Sequence, residues 1–426
     1  MSTSGSSHHS LSKPPDPRLT VPILPRTRFR VPRSLLIAAV GLATFTGCPP
    51  STGWVRLHGG ENSDYGYDIQ QTTDGGYIIA GVTNSFDTWN GDMYLLKIGA
   101  NGNLAWYYTF GATSYDYGYA VAQADDGGYV MAGETDSFGA GGEDACLVKV
   151  DSSGDLSWFQ TYGTAEDDVA FSLAKTSDDG YIMCGSSVNG QNSTVDIYLV
   201  KTDANGNEDW SRSIDCGGDE GGNSVAETDN GYVVAGIRMV MGDGSSSISI
   251  RMCLVKTDLN GNFKWMQEYG DYSAGYDVIE TADGGYVVAG ETDSSPFDAV
   301  GWSDGFAVRT DAHGNVAWTI IRDIRGESCF LNSVKQTSDG GYVFAGKEGT
   351  SALLLKTDED GTEMWSRRFN GLRSISSEAC AVVESSLGGY CFAGSQHNDT
   401  EDPYSVYVVK TDARGNTGLP LPVTLP

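Results

Sequence analysis

One unit of about fifty residues recurs seven times between residues 54 and 416. Its clearest mark is a tryptophan series spaced by 52, 52, 52, 55, 53 and 47 residues: Trp54, Trp106, Trp158, Trp210, Trp265, Trp318 and Trp365. A tyrosine that is followed four residues later by glycine also recurs, at Tyr77, Tyr129, Tyr181, Tyr232, Tyr286, Tyr342 and Tyr390. A basic series comprises Lys97, Lys149, Lys201, Lys256, Arg309, Lys356 and Lys410. A period of this length indicates an array of small structural units, such as the blades of a propeller.

Each unit is predicted to form four short β-strands. In the first unit they lie at Trp54 to His58, Tyr67 to Thr72, Tyr77 to Val82 and Met93 to Ile98. Thr-Asp-Gly-Gly and Asp-Ala-Asn-Gly-Asn sequences supply tight turns, because Gly accepts positive φ and Asx side chains bond back to the backbone. The sequence therefore predicts an all-β, seven-bladed β-propeller over residues 54–416, with four antiparallel strands per blade.

The two ends of the repeat region predict how the ring closes. It begins with a tryptophan strand, Trp54 to His58, and ends after Tyr404 to Lys410 without one. The seventh blade therefore has three strands of its own. We expect the N-terminal strand to pair with Tyr404 to Lys410 as the fourth, which removes a free sheet edge.

Residues 1–47 have the composition of an export signal. A Pro-, Ser- and Arg-rich segment leads into an uncharged, mostly apolar run at residues 34–47. This run is shorter than the roughly 20 residues that a bilayer-spanning helix needs, but it has the length and basic flank of a secretory signal. We expect a leader at 1–47, a short linker at 48–53 and a Pro-rich tail at 417–426.

The end of the apolar run resembles a known processing site. Phe45-Thr46-Gly47-Cys48 is similar to the lipobox of bacterial lipoprotein signals, which is cut before a cysteine that is then acylated. The resemblance implies lipidation of Cys48 and a cell-envelope lipoprotein. Phe45 departs from the usual aliphatic residue, so plain secretion and an uncleaved anchor stay open.

The repeats also resemble known propeller families. Lys201 to Trp210, Lys-Thr-Asp-Ala-Asn-Gly-Asn-Glu-Asp-Trp, resembles the tryptophan-docking hairpin of quinoprotein-type propellers. The wider unit, from Tyr181 to Lys201, is similar to the bacterial propeller repeats named SBBP. Those repeats occur mostly in exported proteins of unassigned role, so the resemblance implies the fold rather than an activity. No residues match the set that holds pyrroloquinoline quinone and calcium in quinoproteins, so no cofactor is expected.

Charge narrows the choice of partner. Residues 48–426 hold 21 basic and 55 acidic residues, a balance that repels phosphate backbones and anionic lipid. We therefore expect no nucleic acid, and membrane contact only through the N-terminal segment. We also expect a monomer. A cation, a neutral glycan or a basic partner fits better. Alternatively, the acids only keep a large β protein soluble.

Motifs of catalysis and metal binding are not found. No Gly-x-Ser-x-Gly and no His-Glu-x-x-His occurs, and no CxxC or Cys/His cluster indicates a metal. Asp203-x-Asn205-Gly206 lacks the later Gly and Glu of a calcium loop and is better explained as a hairpin turn. Cys380 and Cys391 flank one hairpin turn and are candidates for a disulfide in an oxidising compartment.

The phased aromatic residues are predicted to be core, and the phased basic residues to pair with nearby Asp. Ligand contacts are expected instead in the loops between the third and fourth predicted strands, which range from four residues to the fourteen of Arg238 to Arg251. The candidates are Trp89, Trp302, Phe86, Phe138, Phe297, Asp87, Asp298 and Asp399. The alternative is that such a ring caps its own loop.

Two functions are compatible with these observations. The first is a non-catalytic binding or scaffold module at the cell surface, with an unknown glycan or protein ligand. The second is a glycan-active extracellular enzyme, a hydrolase or lyase, that uses loop carboxylates on one propeller face.

Overall fold

The computed structural model describes residues 53–86, 90–241, 248–293, 303–371, 374–397 and 403–418. Every regular element in these ranges is a β-strand, and the strands form seven four-stranded antiparallel sheets arranged as a β-propeller. The predicted fold is confirmed. In this part of the chain, no helix is long and apolar enough to cross a membrane.

The strands follow one another blade by blade. Their bounds are β1 Trp54–His58; β2 Asp64–Gln71, β3 Tyr77–Thr83, β4 Asp92–Ile98, β5 Leu104–Phe110; β6 Asp116–Gln123, β7 Tyr129–Thr135, β8 Asp144–Val150, β9 Leu156–Tyr162; β10 Asp168–Lys175, β11 Tyr181–Val188, β12 Val195–Thr202, β13 Glu208–Ile214; β14 Asp219–Thr228, β15 Gly231–Met241, β16 Ile248–Thr257, β17 Phe263–Tyr269; β18 Ser273–Glu280, β19 Tyr286–Thr292, β20 Asp304–Thr310, β21 Val316–Arg322; β22 Cys329–Gln336, β23 Tyr342–Glu348, β24 Ser351–Thr357, β25 Glu363–Phe369; β26 Ser376–Glu384, β27 Tyr390–His397 and β28 Tyr404–Lys410. Blades 1 to 6 begin at β2, β6, β10, β14, β18 and β22.

The ring closes as the sequence predicts. Blade 7 has the strand order β26, β27, β28, β1, so the first strand of the chain completes the last blade. Trp54 lies opposite Lys410, in the same register as Trp106 opposite Lys97 inside blade 1. Closure therefore uses the pairing that the internal blades use.

The antiparallel order gives the ring two different faces. One face carries the loops between the second and third strands of each blade, together with the loops between blades. We call it the variable face. The other, the turn face, carries the two tight turns of each blade. There Asp203 Oδ1 accepts the backbone N–H groups of Asn205 and Asn207, at 2.8 and 2.9 Å, as expected for a hairpin turn.

Seven hydrophobic cores hold the ring together, each built by two adjacent blades. The phased tyrosines lie inside them; Tyr77, for example, is fully buried. The phased tryptophans, except the buried Trp54, are half-buried. The ring of Trp106 lies 5.7 Å from that of Tyr129 in the next blade, and Gly154 of the next blade's turn lies against it. The tryptophans thus dock blades together from the turn face.

The phased basic residues are buried and five of them pair with Asp. Lys97, Lys149, Lys201, Arg309 and Lys356 form salt bridges with an Asp in the turn between the first and second strands of their own blade. The exceptions are Lys256 and Lys410, whose turns carry Asn230 and Leu387 at that position. Burial lowers the pKa of Lys256 to about 8. The predicted pairing is confirmed where the turn supplies a carboxylate.

Candidate functional site

A central channel runs between the first strands of the seven blades. Each first strand has a one-residue β-bulge, which turns the extra side chain toward the channel. All seven bulge residues line it: Tyr67, Tyr119, Phe171, Asn223, Tyr276, Asn332 and Cys380. The channel has a volume of 480 Å³, within the usual range of small-ligand sites.

Five of the seven residues that follow the bulges are Asp or Ser, and their side chains join neighbouring blades. Asp68 Oδ2 accepts the backbone N–H of Val121 in blade 2 at 2.9 Å. Asp277 Oδ2 accepts the N–H of Val334 at 2.9 Å and the hydroxyl of Ser333 at 3.0 Å, both in blade 6. Burial raises the pKa of Asp68. These two carboxylates are thus engaged in holding blades together.

Aromatic rings of blades 1, 2, 3 and 7 line the channel where it opens on the variable face. Tyr67 and Tyr119 have ring centroids 5.5 Å apart, and Tyr119 and Phe171 5.2 Å apart. Tyr65 extends the row outward, 4.9 Å from Tyr404 of blade 7. We call the connected Tyr and Phe rings the channel mouth; they are Tyr65, Tyr67, Tyr115, Tyr117, Tyr119, Phe171 and Tyr404. The His397 ring stacks on Tyr404 from outside this group, with centroids 4.7 Å apart.

Two tyrosines of the channel bond to glutamates, of which Glu134 is buried and Glu291 half-buried. The Tyr119 hydroxyl donates to Glu134 Oε1 at 2.8 Å, and the Tyr276 hydroxyl donates to Glu291 at the same position of blade 5. Burial, and then the charge of Glu143, raises the pKa of Glu134 to about 7, against the effect of the Tyr119 hydrogen bond. Both pairs fix the direction of a tyrosine ring in the channel wall.

The loops of the variable face are strongly acidic. Within the described residues they hold one basic residue, Arg325, and ten acidic ones: Glu61, Asp136, Glu143, Glu166, Asp167, Asp215, Asp271, Asp293, Asp323 and Glu327. Some of this charge reaches the channel mouth. Burial raises the pKa of Tyr117 most, followed by the neighbouring Tyr115. The charges of Glu134 and Glu143 raise this pKa further. The mouth therefore lies in a negative potential.

The sequence-predicted contact residues are only partly described. Phe86 stacks on Tyr107, with centroids 4.6 Å apart, and Phe138 packs on Phe110 and Phe159 at 5.5 and 5.4 Å. Both rings therefore cap clusters of outer strands, and a ligand contact by either stays a prediction. The remaining candidates lie outside the described residues: Asp87, Trp89, Phe297, Asp298, Asp399 and Trp302, together with Cys48.

The structure does not bond the two cysteines proposed as a disulfide. Cys380 is the bulge residue of β26 and lines the channel, whereas Cys391 is buried in the core between blades 7 and 1. The residue opposite Cys391 is Val383, not Cys380. Both are free cysteines. Cys380 lies three residues before Val383 along β26, so the ladder register keeps the two side chains apart.

Among the described residues, one acidic group is spaced closely enough to bind a cation. Carboxylate oxygens of Asp196, Asp215 and Glu220 lie within 4.8 Å of one another. Glu220, however, already accepts from Arg238 Nε at 3.1 Å and from the backbone N–H of Cys216 at 3.1 Å. A cation would have to compete with this arginine for the group.

Sequence reasoning missed the channel mouth. The signal was present, because Asp-Tyr-Gly-Tyr occurs in blades 1 and 2 as Asp64 to Tyr67 and Asp116 to Tyr119. These tyrosines fall outside the phased series. The predicted strand at Tyr67 to Thr72 also began three residues late, since the bulge at Tyr67 breaks the alternation that marks a strand.

No protein-family model matches this chain, and no curated protein matches it in sequence. Similar solved structures include Drosophila Semaphorin 1b, extracellular domains 1–2, at 7% identity and a TM-score of 0.49, covering 84% of this chain and 86% of that one. YCF48 bound to D1 peptide is similar at 10% identity and a TM-score of 0.48, covering 86% of this chain and 98% of that one. A protein of unknown function from Bacteroides caccae is similar at 11% identity and a TM-score of 0.43, covering 72% of this chain and 94% of that one. Likeness this low gives no basis for a function, and the resemblance to SBBP-type and quinoprotein repeats stays a prediction.

Proposed function

We propose that this protein is an exported, lipid-anchored, non-catalytic binding module whose ligand contacts the channel mouth. The observation that carries the proposal is the row of seven connected rings on the variable face. Tyrosine is enriched in protein binding sites because it combines a large apolar ring with a polar hydroxyl and few rotatable bonds.

The fold does not need these rings for its cores. The inter-blade cores are built by the phased tyrosines and by aliphatic residues of the second and third strands. Of the mouth rings, Tyr115 is 52% exposed, and Tyr65, Tyr67, Tyr117 and Tyr119 are half-buried. Such a partly exposed aromatic surface is typical of an interaction site.

The alternative, a glycan-active enzyme, has less support. Glycoside hydrolysis requires two carboxyl groups facing the scissile bond across an open site. In the channel wall, Asp68 and Asp277 are bonded to neighbouring blades. Glu134 is 8% exposed and bonded to Tyr119, although its raised pKa would suit a general acid. These carboxylates support the wall of a binding site more than they support catalysis.

Export and anchoring rest on the leader alone. The apolar run at 34–47 and the junction at Cys48 supply the two signals. Expressed in a bacterial host, Cys48→Ser is expected to release the protein from the membrane fraction. Membrane retention equal to that of the wild type would favour an uncleaved anchor.

Binding at the mouth is tested with arrays. The labelled protein is applied to a glycan array and a peptide array, and each hit is measured again with Tyr65→Ala and Tyr117→Ala. We expect each variant to weaken binding about tenfold, because a buried tyrosine contact of a binding site contributes more than about 1 kcal/mol. A glycan hit is also assayed for hydrolysis.

A matched control is Tyr107→Ala, because Tyr107 is a half-buried tyrosine of an outer strand that packs on Phe86. Melting temperatures of all three variants identify any loss of folding. If a hit binds both mouth variants as tightly as the wild type, or if Tyr107→Ala weakens its binding equally, the ligand binds elsewhere. Turnover of a glycan hit would favour the enzyme.

A further inference from the structure

The channel mouth and the acidic loops lie on the same face, and each points to a ligand of positive charge. Aromatic rings attract cations through their negative faces, and Lys or Arg held over a ring is a common contact in proteins. Carboxylates add charge-assisted hydrogen bonds to the same groups. Aromatic rings and carboxylates together are more selective for cationic groups than either feature alone.

The charges near the mouth support this complementarity. Asp136 and Glu143, in the β7–β8 loop, are both exposed, and the charge of Glu143 acts on Tyr117. Deeper in the channel, the described lining residues include three carboxylates and two lysines: Asp68, Asp277, Glu227, Lys175 and Lys335. Lys335 Nζ lies 3.4 Å from Asp277 Oδ2. A cationic side chain that enters at the mouth therefore remains near negative charge.

We infer that the ligand is a lysine- or arginine-bearing segment of a partner protein, held by the rings of the channel mouth and by the acidic loops around it. The inference rests on the function proposed above. A protein segment fits better than a small cation, because the acidic loops extend around the ring from Glu61, in the loop that leads into blade 1, to Glu327, in the loop that leads into blade 6. Only an extended occupant reaches both these loops and the channel. A long flexible side chain such as that of lysine can enter the channel between the rings.

The test uses the full-length protein and two synthetic probes, a short lysine-rich peptide and a matched peptide with glutamate in place of each lysine. We expect the lysine peptide to bind at low salt, more weakly at high salt, and the glutamate peptide not to bind. Tyr117→Ala is expected to weaken the lysine peptide about tenfold.

Two pairs of charge variants distinguish binding at a specific site from general attraction to an acidic protein. All four substitutions lie in exposed loops or turns and leave the core unchanged. The pair Asp136→Asn and Glu143→Gln removes two charges beside the mouth. The pair Glu359→Gln and Asp360→Asn removes two charges from an exposed turn of the opposite face. We expect the first pair to weaken the lysine peptide several-fold and the second pair to change its affinity less than twofold.

Three results would overturn the inference: no binding of the lysine peptide, equal binding of both peptides, or equal effects of the two charge pairs. If a neutral glycan binds instead and Tyr117→Ala weakens it, the proposed function stands and only the basic ligand is wrong. If the lysine peptide binds and Tyr117→Ala has no effect, the proposed site itself is wrong.

Discussion

At the residue scale, the docking of each tryptophan depends on a glycine in the next blade. A Cβ built on Gly206 would lie 2.7 Å from the ring of Trp158, and one built on Gly102 would lie 2.7 Å from Trp54. These glycines also have positive φ, +76° in both cases. Two separate reasons therefore require glycine at this position: the positive φ of the turn and the close approach of the tryptophan ring.

Substitution of two glycines separates these requirements. Gly206→Ala is expected to destabilise the protein by about 2 to 4 kcal/mol, through positive φ and through overpacking on Trp158. Gly127→Ala is the matched control, because Gly127 has φ +79° and open space around its Cβ position. Its cost should be about 1 kcal/mol. Urea unfolding measures both, and equal losses would show that the Trp158 ring accommodates the added methyl group without cost.

At the scale of single strands, the sequence predicts regular pairing well and its interruptions poorly. The predicted strand Trp54 to His58 matches β1, and Tyr77 to Val82 lacks only the last residue of β3. Neither strand carries a bulge of its own, so alternation and turn residues mark them clearly. In β2 the bulge at Tyr67 shifts the alternation by one residue, and the first three residues of the strand were missed.

The long loop between Arg238 and Arg251 shows a second limit. Sequence comparison of the repeats places fourteen residues there, but β15 continues to Met241 and β16 begins at Ile248. The extension carries an ion-pair network, in which Arg238 contacts Glu220 and Glu268, at 3.1 and 2.6 Å. Repeat length alone cannot distinguish a longer loop from a longer hairpin, since both add residues at the same place.

At the scale of the whole molecule, the repeat determines the scaffold and the departures from it determine the site. Seven copies of one docking motif and a shared register predict blade number and closure from sequence. The channel mouth could not be predicted in the same way. Its members come from blades 1, 2, 3 and 7 and meet only because the ring closes, with Tyr404 beside Tyr65. Proximity across more than 300 residues is a property of the closed ring rather than of any one unit.

The most direct test of binding at the channel mouth is hydroxyl-radical footprinting of the full-length protein with and without the lysine-rich peptide. Tyr65, Tyr115 and Tyr117 are accessible on the variable face, whereas Trp210 and Trp318 are half-buried on the side of the turn face. Bound peptide is predicted to protect the three tyrosines from oxidation and to leave both tryptophans unchanged. Protection of the tryptophans with no change at the tyrosines would contradict binding at the mouth.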